Sequence, residues 1–217
     1  MRMSSPLLVT LALSLVGLSA SAAMAQDEMP RLSIAAAGGI ATPFHSDFEF
    51  NATSWEVSLR GQTARHLALE GFFEQWQHTD REVLLNRDIL GPNGFLGRVG
   101  RIEVSTTYRM RTAGVNGLAT GRAGRVTFGG GGGIGFLEYD RRFAQASTGC
   151  DPSVAQLCNS TENTFSSNSF TIQVVGELDV AIVRRVAGFG RYLMVVPTSD
   201  PGFGHGAFLA GVRVTLW

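Results

Sequence analysis

Phe170-Thr-Ile-Gln-Val-Val-Gly-Glu-Leu-Asp-Val-Ala-Ile182 is the stretch that decides how this chain folds. Phe170, Ile172, Val174, Gly176, Leu178, Val180 and Ile182 share one parity, while Thr171, Gln173, Val175, Glu177 and Asp179 share the other. A β-strand sorts side chains by parity, because successive residues point to opposite faces. A helix would spread the same residues around its axis. The segment therefore predicts a strand with one apolar and one polar face.

The same period recurs on both sides of it. Before it come Arg31–Ile40, Ser54–Arg60, His66–Trp76 and Arg101–Met110, then Arg125–Tyr139 with small faces around the run Gly129–Gly133. After it come Val186–Val196 and Gly206–Trp217. Eight segments of about ten residues each match the length of a tilted membrane crossing. The expected fold is all-β: an eight-stranded antiparallel up-and-down transmembrane β-barrel. On this reading the links at the N-terminal end are 61–65, 111–124 and 183–185. Those at the opposite end are 41–53, 77–100, 140–165 and 197–205, so long loops gather on one side. The 111–124 link is long for its side and is expected to hold extended strand ends.

Composition bounds the function. The 217 residues include 18 acidic groups and 18 arginines, with no lysine, so the net charge is zero and gives no electrostatic reason to expect nucleic acid. A hydrophobic share of 44% excludes an intrinsically disordered chain. No stretch after the leader has 18 consecutive apolar residues, so a helical membrane span is excluded. The leader is Met1–Ala25: one charge at Arg2, an apolar run Leu7–Leu18, and Ala23-Met-Ala25 before the cleavage point. That order is a secretory signal peptide, which leaves Gln26–Trp217 as the barrel domain. In an oxidising compartment, Cys150 and Cys158 are expected to close a small loop as a disulfide.

Period two alone does not say which face meets lipid. The polar parity carries Glu56, Glu70, Glu74, Glu103, Glu177 and Asp179 against Arg31, Arg60, Arg101, Arg109, Arg191 and Arg213. Six acids matched by six arginines suit a narrow interior, where an unpaired buried ion costs several kcal/mol. The other parity has no charge at mid-strand, as a lipid-facing surface requires. Aromatic residues near the strand ends, Phe44, Trp55, Phe73, Tyr108, Phe128, Phe136 and Tyr139, read as interfacial girdles. The expected interior is thus a network of Glu56, Arg60, Glu70, Glu74, Glu103, Arg109, Glu177, Asp179, Arg191 and Arg213, with Arg31 and Arg101 beside them.

The leader, the eight alternating segments, the run Gly129–Gly135 and the terminal Trp217 together resemble the small bacterial outer-membrane barrels of the OmpA/OmpX-like group. The resemblance implies export by the general secretory pathway to the outer membrane, with membrane lipid as the surroundings. It also implies the barrel-assembly machinery as a partner during biogenesis, with Trp217 as the assembly signal. A monomer is expected.

Chemistry-bearing motifs are sparse. Gly130-Gly-Gly-Gly-Ile-Gly135 satisfies G-x-G-x-x-G formally but lacks the helix and the acidic partner of a nucleotide site. Glycine in a strand more often marks bending or close backbone approach. His45, His78 and His205 fall near strand ends and read as isolated exposed histidines, not converging metal ligands. No catalytic residue, cofactor site or metal site is expected. The leading functional reading is a structural or surface-interaction barrel acting through its long outer loops. The alternatives are a narrow pore or transporter for small or apolar solutes and, third, a lipid-modifying surface enzyme.

Overall fold

A computed structural model describes residues 31–44, 51–92, 94–199 and 204–216. The leader Met1–Ala25, His45 and Trp217 lie outside the described residues. The elements are β1 (Leu32–Pro43), β2 (Ala52–Ala64), β3 (Leu67–Gly91), β4 (Gly94–Ala123) and β5 (Val126–Cys150). A 3₁₀ turn (Pro152–Leu157) precedes β6 (Thr161–Val183), β7 (Val186–Pro197) and β8 (His205–Thr215). Each strand pairs with its sequence neighbours, and β1 pairs antiparallel with β8, so the sheet closes as an up-and-down barrel. Closure removes the unpaired edges that an open sheet would expose.

The central strands are far longer than alternation predicts. β3 to β6 run for 25, 30, 25 and 23 residues, where a crossing needs about ten. Alternation is enforced only where one face meets lipid and the other the lumen. Where water lies on both faces, the backbone ladder alone can continue a strand, and the side chains need not alternate. The expected links 77–100 and 140–165 are therefore largely strand. The expected link 111–124 is not a loop either: β4 runs through it to Ala123 and turns at Gly124-Arg125. All three turns at that end have two residues: Arg65-His66, Gly124-Arg125 and Arg184-Arg185.

The chain divides into two compact units. The first holds the residues up to Trp76, Met110–Glu138 and those from Ser167 on. Its inner face takes Phe72, Trp76, Met110, Leu118, Phe189, Leu193 and Leu209, all buried, together with most of the buried charge. Its outer face takes Ile34, Ile40, Val57, Ile172, Val174, Leu178, Phe208 and Val212, all exposed. A soluble barrel would do the reverse. Phe208 is 70% exposed while its neighbour Leu209 is 3% exposed, so parity decides burial and hydrophobicity does not. Aromatic pairs stand on the outer face: Trp55 with Phe73, Phe136 with Phe170, and Tyr192 with Phe208 at 4.7 Å between centroids. Gln75 and Glu138, both bonded to Arg111 on outward parity, mark where polar groups succeed this apolar surface.

The second unit holds Gln77–Arg109 and Tyr139–Ser166. Two of the expected girdle aromatics belong here: Tyr139 is buried beside Phe165, and Tyr108 lies under the Arg141 guanidinium. The Cys150–Cys158 disulfide forms as expected, with a Cα separation of 6.1 Å, and closes the loop that contains the 3₁₀ turn. That loop folds onto β4. Asp151 donates its N–H to the Arg98 carbonyl at 2.9 Å, and its carboxylate accepts the Arg98 N–H at 2.8 Å. Val154 is buried above Gly97, where an added Cβ would come within 3.0 Å of the valine methyls. Several exposed charges of this unit pair with one another. Asp88 hydrogen-bonds Arg98 and Glu162 hydrogen-bonds Arg142, which raises both guanidinium pKa values.

Candidate functional site

The candidate site is the charged interior of the first unit. Strand register builds it. β6 sets Glu177 opposite Arg191 of β7, and both residues point inward. β8 sets Arg213 between Ala35 of β1 and Ala187 of β7, and β2 sets Glu56 opposite Ala37. The inward residues of β1 are small, Ser33, Ala35, Ala37, Gly39 and Ala41, so the long side chains of its two neighbours have room to lie across the lumen.

The result is one contiguous ion cluster. Arg60 bonds Glu70 at 2.6 Å and also bonds Glu177. Arg191, whose side chain has no exposure, bonds Glu56 and Glu70 and lies 3.3 Å from Glu177. Arg213 reaches Glu177 at 3.1 Å, bonds Asp179, and stacks on the Phe189 ring at 4.8 Å. Four carboxylates thus meet three guanidinium groups, which use their planar forks to serve several acceptors at once.

The glycine run has a definite use here. An added Cβ at Gly129 would lie 3.0 Å from Glu177 Oε1, and one at Gly135 would collide with the Gln173 amide. The β6 side chains therefore lie directly on the β5 backbone. The run permits tight packing and holds no phosphate loop.

A second polar layer centres on Glu74. Its carboxylate accepts from Ser54 Oγ at 2.8 Å and pairs with His205 Nε2 at 2.8 Å, and the His205 ring packs edge-on against Trp76. His205 is fully buried, contrary to its reading as an exposed histidine. Parity was the available signal, since His205 shares it with Ala207, Leu209 and Arg213. His78 belongs to the second unit and pairs with Asp80 at 2.7 Å. Among the described residues, no group of three or more His, Cys, Asp or Glu side chains could hold a metal ion.

Two expected members of the network are not brought to it. Glu103 is exposed and pairs with Arg101, and Arg109 bonds Gln77 at 3.3 Å, all in the second unit. Sequence alternation places the fourth crossing too early. The lumen-facing part of β4 begins at Met110 and continues through Thr112, Asn116 and Leu118, none of them charged. Arg31 lies at the mouth beside the turns, where a cavity of about 510 Å³ opens.

No protein-family model and no curated protein matches the sequence. Solved structures do match. Ail of Yersinia pestis, in complex with the heparin analogue sucrose octasulfate, aligns at TM-score 0.51 and 11% identity, covering 86% of this chain and 97% of Ail. Neisserial surface protein A aligns at 0.51 and 12% identity, covering 85% and 97%. The fold is that of the eight-stranded outer-membrane barrels. A major outer membrane protein of Thermus thermophilus aligns at 0.51 and 10% identity, covering 87% and 100%. The outer-membrane barrel fold accounts for the inverted polarity described above, with apolar residues outside and ions within.

Proposed function

We propose that this protein is an outer-membrane barrel with a closed lumen, whose second unit is a recognition surface outside the cell. The observation that carries this reading is the continuation of β3 to β6 as paired strands well past the length of a crossing. A barrel that served only as a membrane plug would need no such strands.

The character of the second unit supports a contact role. Its charges neutralise one another in Arg98–Asp88, Arg101–Glu103 and Arg142–Glu162, while Val83, Leu85, Leu90, Phe95 and Leu96 stand exposed. A surface of that kind suits an apolar patch on a partner better than a polyanion. The lumen of the first unit is crossed by the ion cluster and by Leu193, Leu209 and Phe72, which argues against a solute path.

The test has two arms. In planar bilayers the purified protein is expected to be silent across a wide voltage range. Steady conductance would favour the pore reading. Cells displaying the protein are expected to adhere to octyl-coated beads, and Leu85→Ser, Phe95→Ser and Leu96→Ser together to abolish adhesion without altering surface localisation. Adhesion that survives all three substitutions would overturn the recognition reading.

A further inference from the structure

The end of the barrel that carries the tight turns is unlike the rest of the molecule. Its cavity of about 510 Å³ is lined by eight arginines and His66, against a single carboxylate, Asp179. Arg60 and Arg213 form the floor and already neutralise Asp179 and the cluster beneath. The remaining six, Arg31, Arg65, Arg122, Arg125, Arg184 and Arg185, have no ion-pair partner among the described residues. Elsewhere, Arg98, Arg101, Arg111 and Arg142 are ion-paired. Although Arg81 and Arg87 also lack an ion pair among the described residues, neither lines this cavity, so it is the gathering of unpaired cations around one opening that sets this end apart.

Folding does not call for these residues. Two-residue turns favour Gly, Asn, Asp or Ser, which supply positive φ or local hydrogen bonds. Here they read Arg65-His66, Gly124-Arg125 and Arg184-Arg185. Among the described residues only glycines and Asn86 have positive φ, so none of these arginines serves a special backbone conformation.

The backbones that carry the arginines are pinned to the barrel. The Arg31 carbonyl accepts from Gln62 N–H, His66 from Thr120, Arg125 from Ala181 and Arg185 from Thr215, at 2.8 to 3.0 Å. The cations are thus held around one opening on a fixed frame. A further polar group at the floor is unspent: Arg213 is 6% exposed, lines the cavity, and its Nε has no hydrogen-bond partner among the described residues.

We propose that this mouth is a binding site for a phosphate-bearing anion. A guanidinium fork matches two phosphate oxygens at once, and several forks around one opening favour a multiply charged ligand over a single carboxylate. Such phosphate can come from a soluble polyphosphate ester or from the headgroup of an anionic lipid at the membrane surface.

Tripolyphosphate is titrated into the full-length protein in zwitterionic detergent by isothermal calorimetry. In parallel, the protein is placed in phosphatidylcholine nanodiscs with and without phosphatidylglycerol, and retained lipid is measured by native mass spectrometry. Saturable tripolyphosphate binding assigns the site to soluble phosphate; selective retention of phosphatidylglycerol assigns it to a headgroup. In either case R184Q/R185Q is expected to weaken binding at least tenfold, R184K/R185K to retain most of it, and R98Q/R142Q to change nothing. Heat-modifiable gel mobility checks that each variant is folded. The proposal is overturned if neither probe binds, or if R184Q/R185Q binds as the parent does.

Discussion

Replacing Arg191 by Met removes the cation at the centre of the ion cluster while keeping most of its length. Arg191 touches Glu56, Glu70 and Glu177, and its own side chain is fully buried. At an effective dielectric of about 20, one charge pair at 3.3 Å is worth about 5 kcal/mol before desolvation. Desolvation offsets most of that in the intact cluster, so the cluster as a whole contributes little net stability. Deleting one partner is different, because the acids stay buried and lose their counter-charge. The variant leaves four carboxylates facing two guanidinium groups, and the expected loss is about 3–5 kcal/mol. The assay is urea unfolding in phospholipid vesicles, followed by tryptophan fluorescence, to which buried Trp76 contributes, and by gel mobility without boiling. The double variant Arg191→Met with Glu70→Gln should recover a substantial part of the loss. A cost below about 1 kcal/mol for Arg191→Met, or strict additivity in the double variant, would refute the claim that these groups form one coupled buried network.

Three further outcomes are expected. Gly129→Val drives a branched side chain into Glu177 Oε1, and should cost about 1–3 kcal/mol in the same unfolding assay. Leu178→Arg places a charge on the lipid-facing side of β6, where Leu178 is half exposed, and should cost about 2–4 kcal/mol in vesicles if the site lies near the bilayer midplane. Cys150→Ser with Cys158→Ser opens the loop across the 3₁₀ turn. By chain entropy this removes about 2.5 kcal/mol from the second unit, so limited proteolysis should cut within 150–160 sooner while gel mobility of the barrel is unchanged.

Much of the fold could be read from parity. Phe170–Ile182 predicts its own orientation residue by residue, with Thr171, Gln173, Val175, Glu177 and Asp179 inward and the apolar set outward. The same rule places Glu56, Arg60, Glu70, Arg191 and Arg213 inside, because a lipid face leaves those residues no other side. Parity fails where lipid stops imposing it. β4 shows this most plainly: Arg101–Met110 alternates well enough to resemble a crossing, yet all of it but Met110 belongs to the second unit, and the true inward face Met110, Thr112, Asn116 and Leu118 carries no charge to announce itself. Met110, assigned to the outward set by that misplaced strand, is fully buried. The arginine turns are legible only in part: strand order already puts the links 61–65, 111–124 and 183–185 at one end, but alternation says nothing about how side chains between strands are arranged, and the structure brings them around one cavity.

The ion cluster also has an order in time. Glu56 and Glu70 come early in the chain, while two of the three cations that neutralise the buried acids, Arg191 and Arg213, sit on the last two strands. Arg213 reaches its place only when β8 zips onto β1, the step that seals the cylinder. Electrical balance and mechanical closure are then one event. A chain cut short before β8 would carry four acids against two arginines. The charge balance of the interior therefore depends on the same strand that completes the barrel.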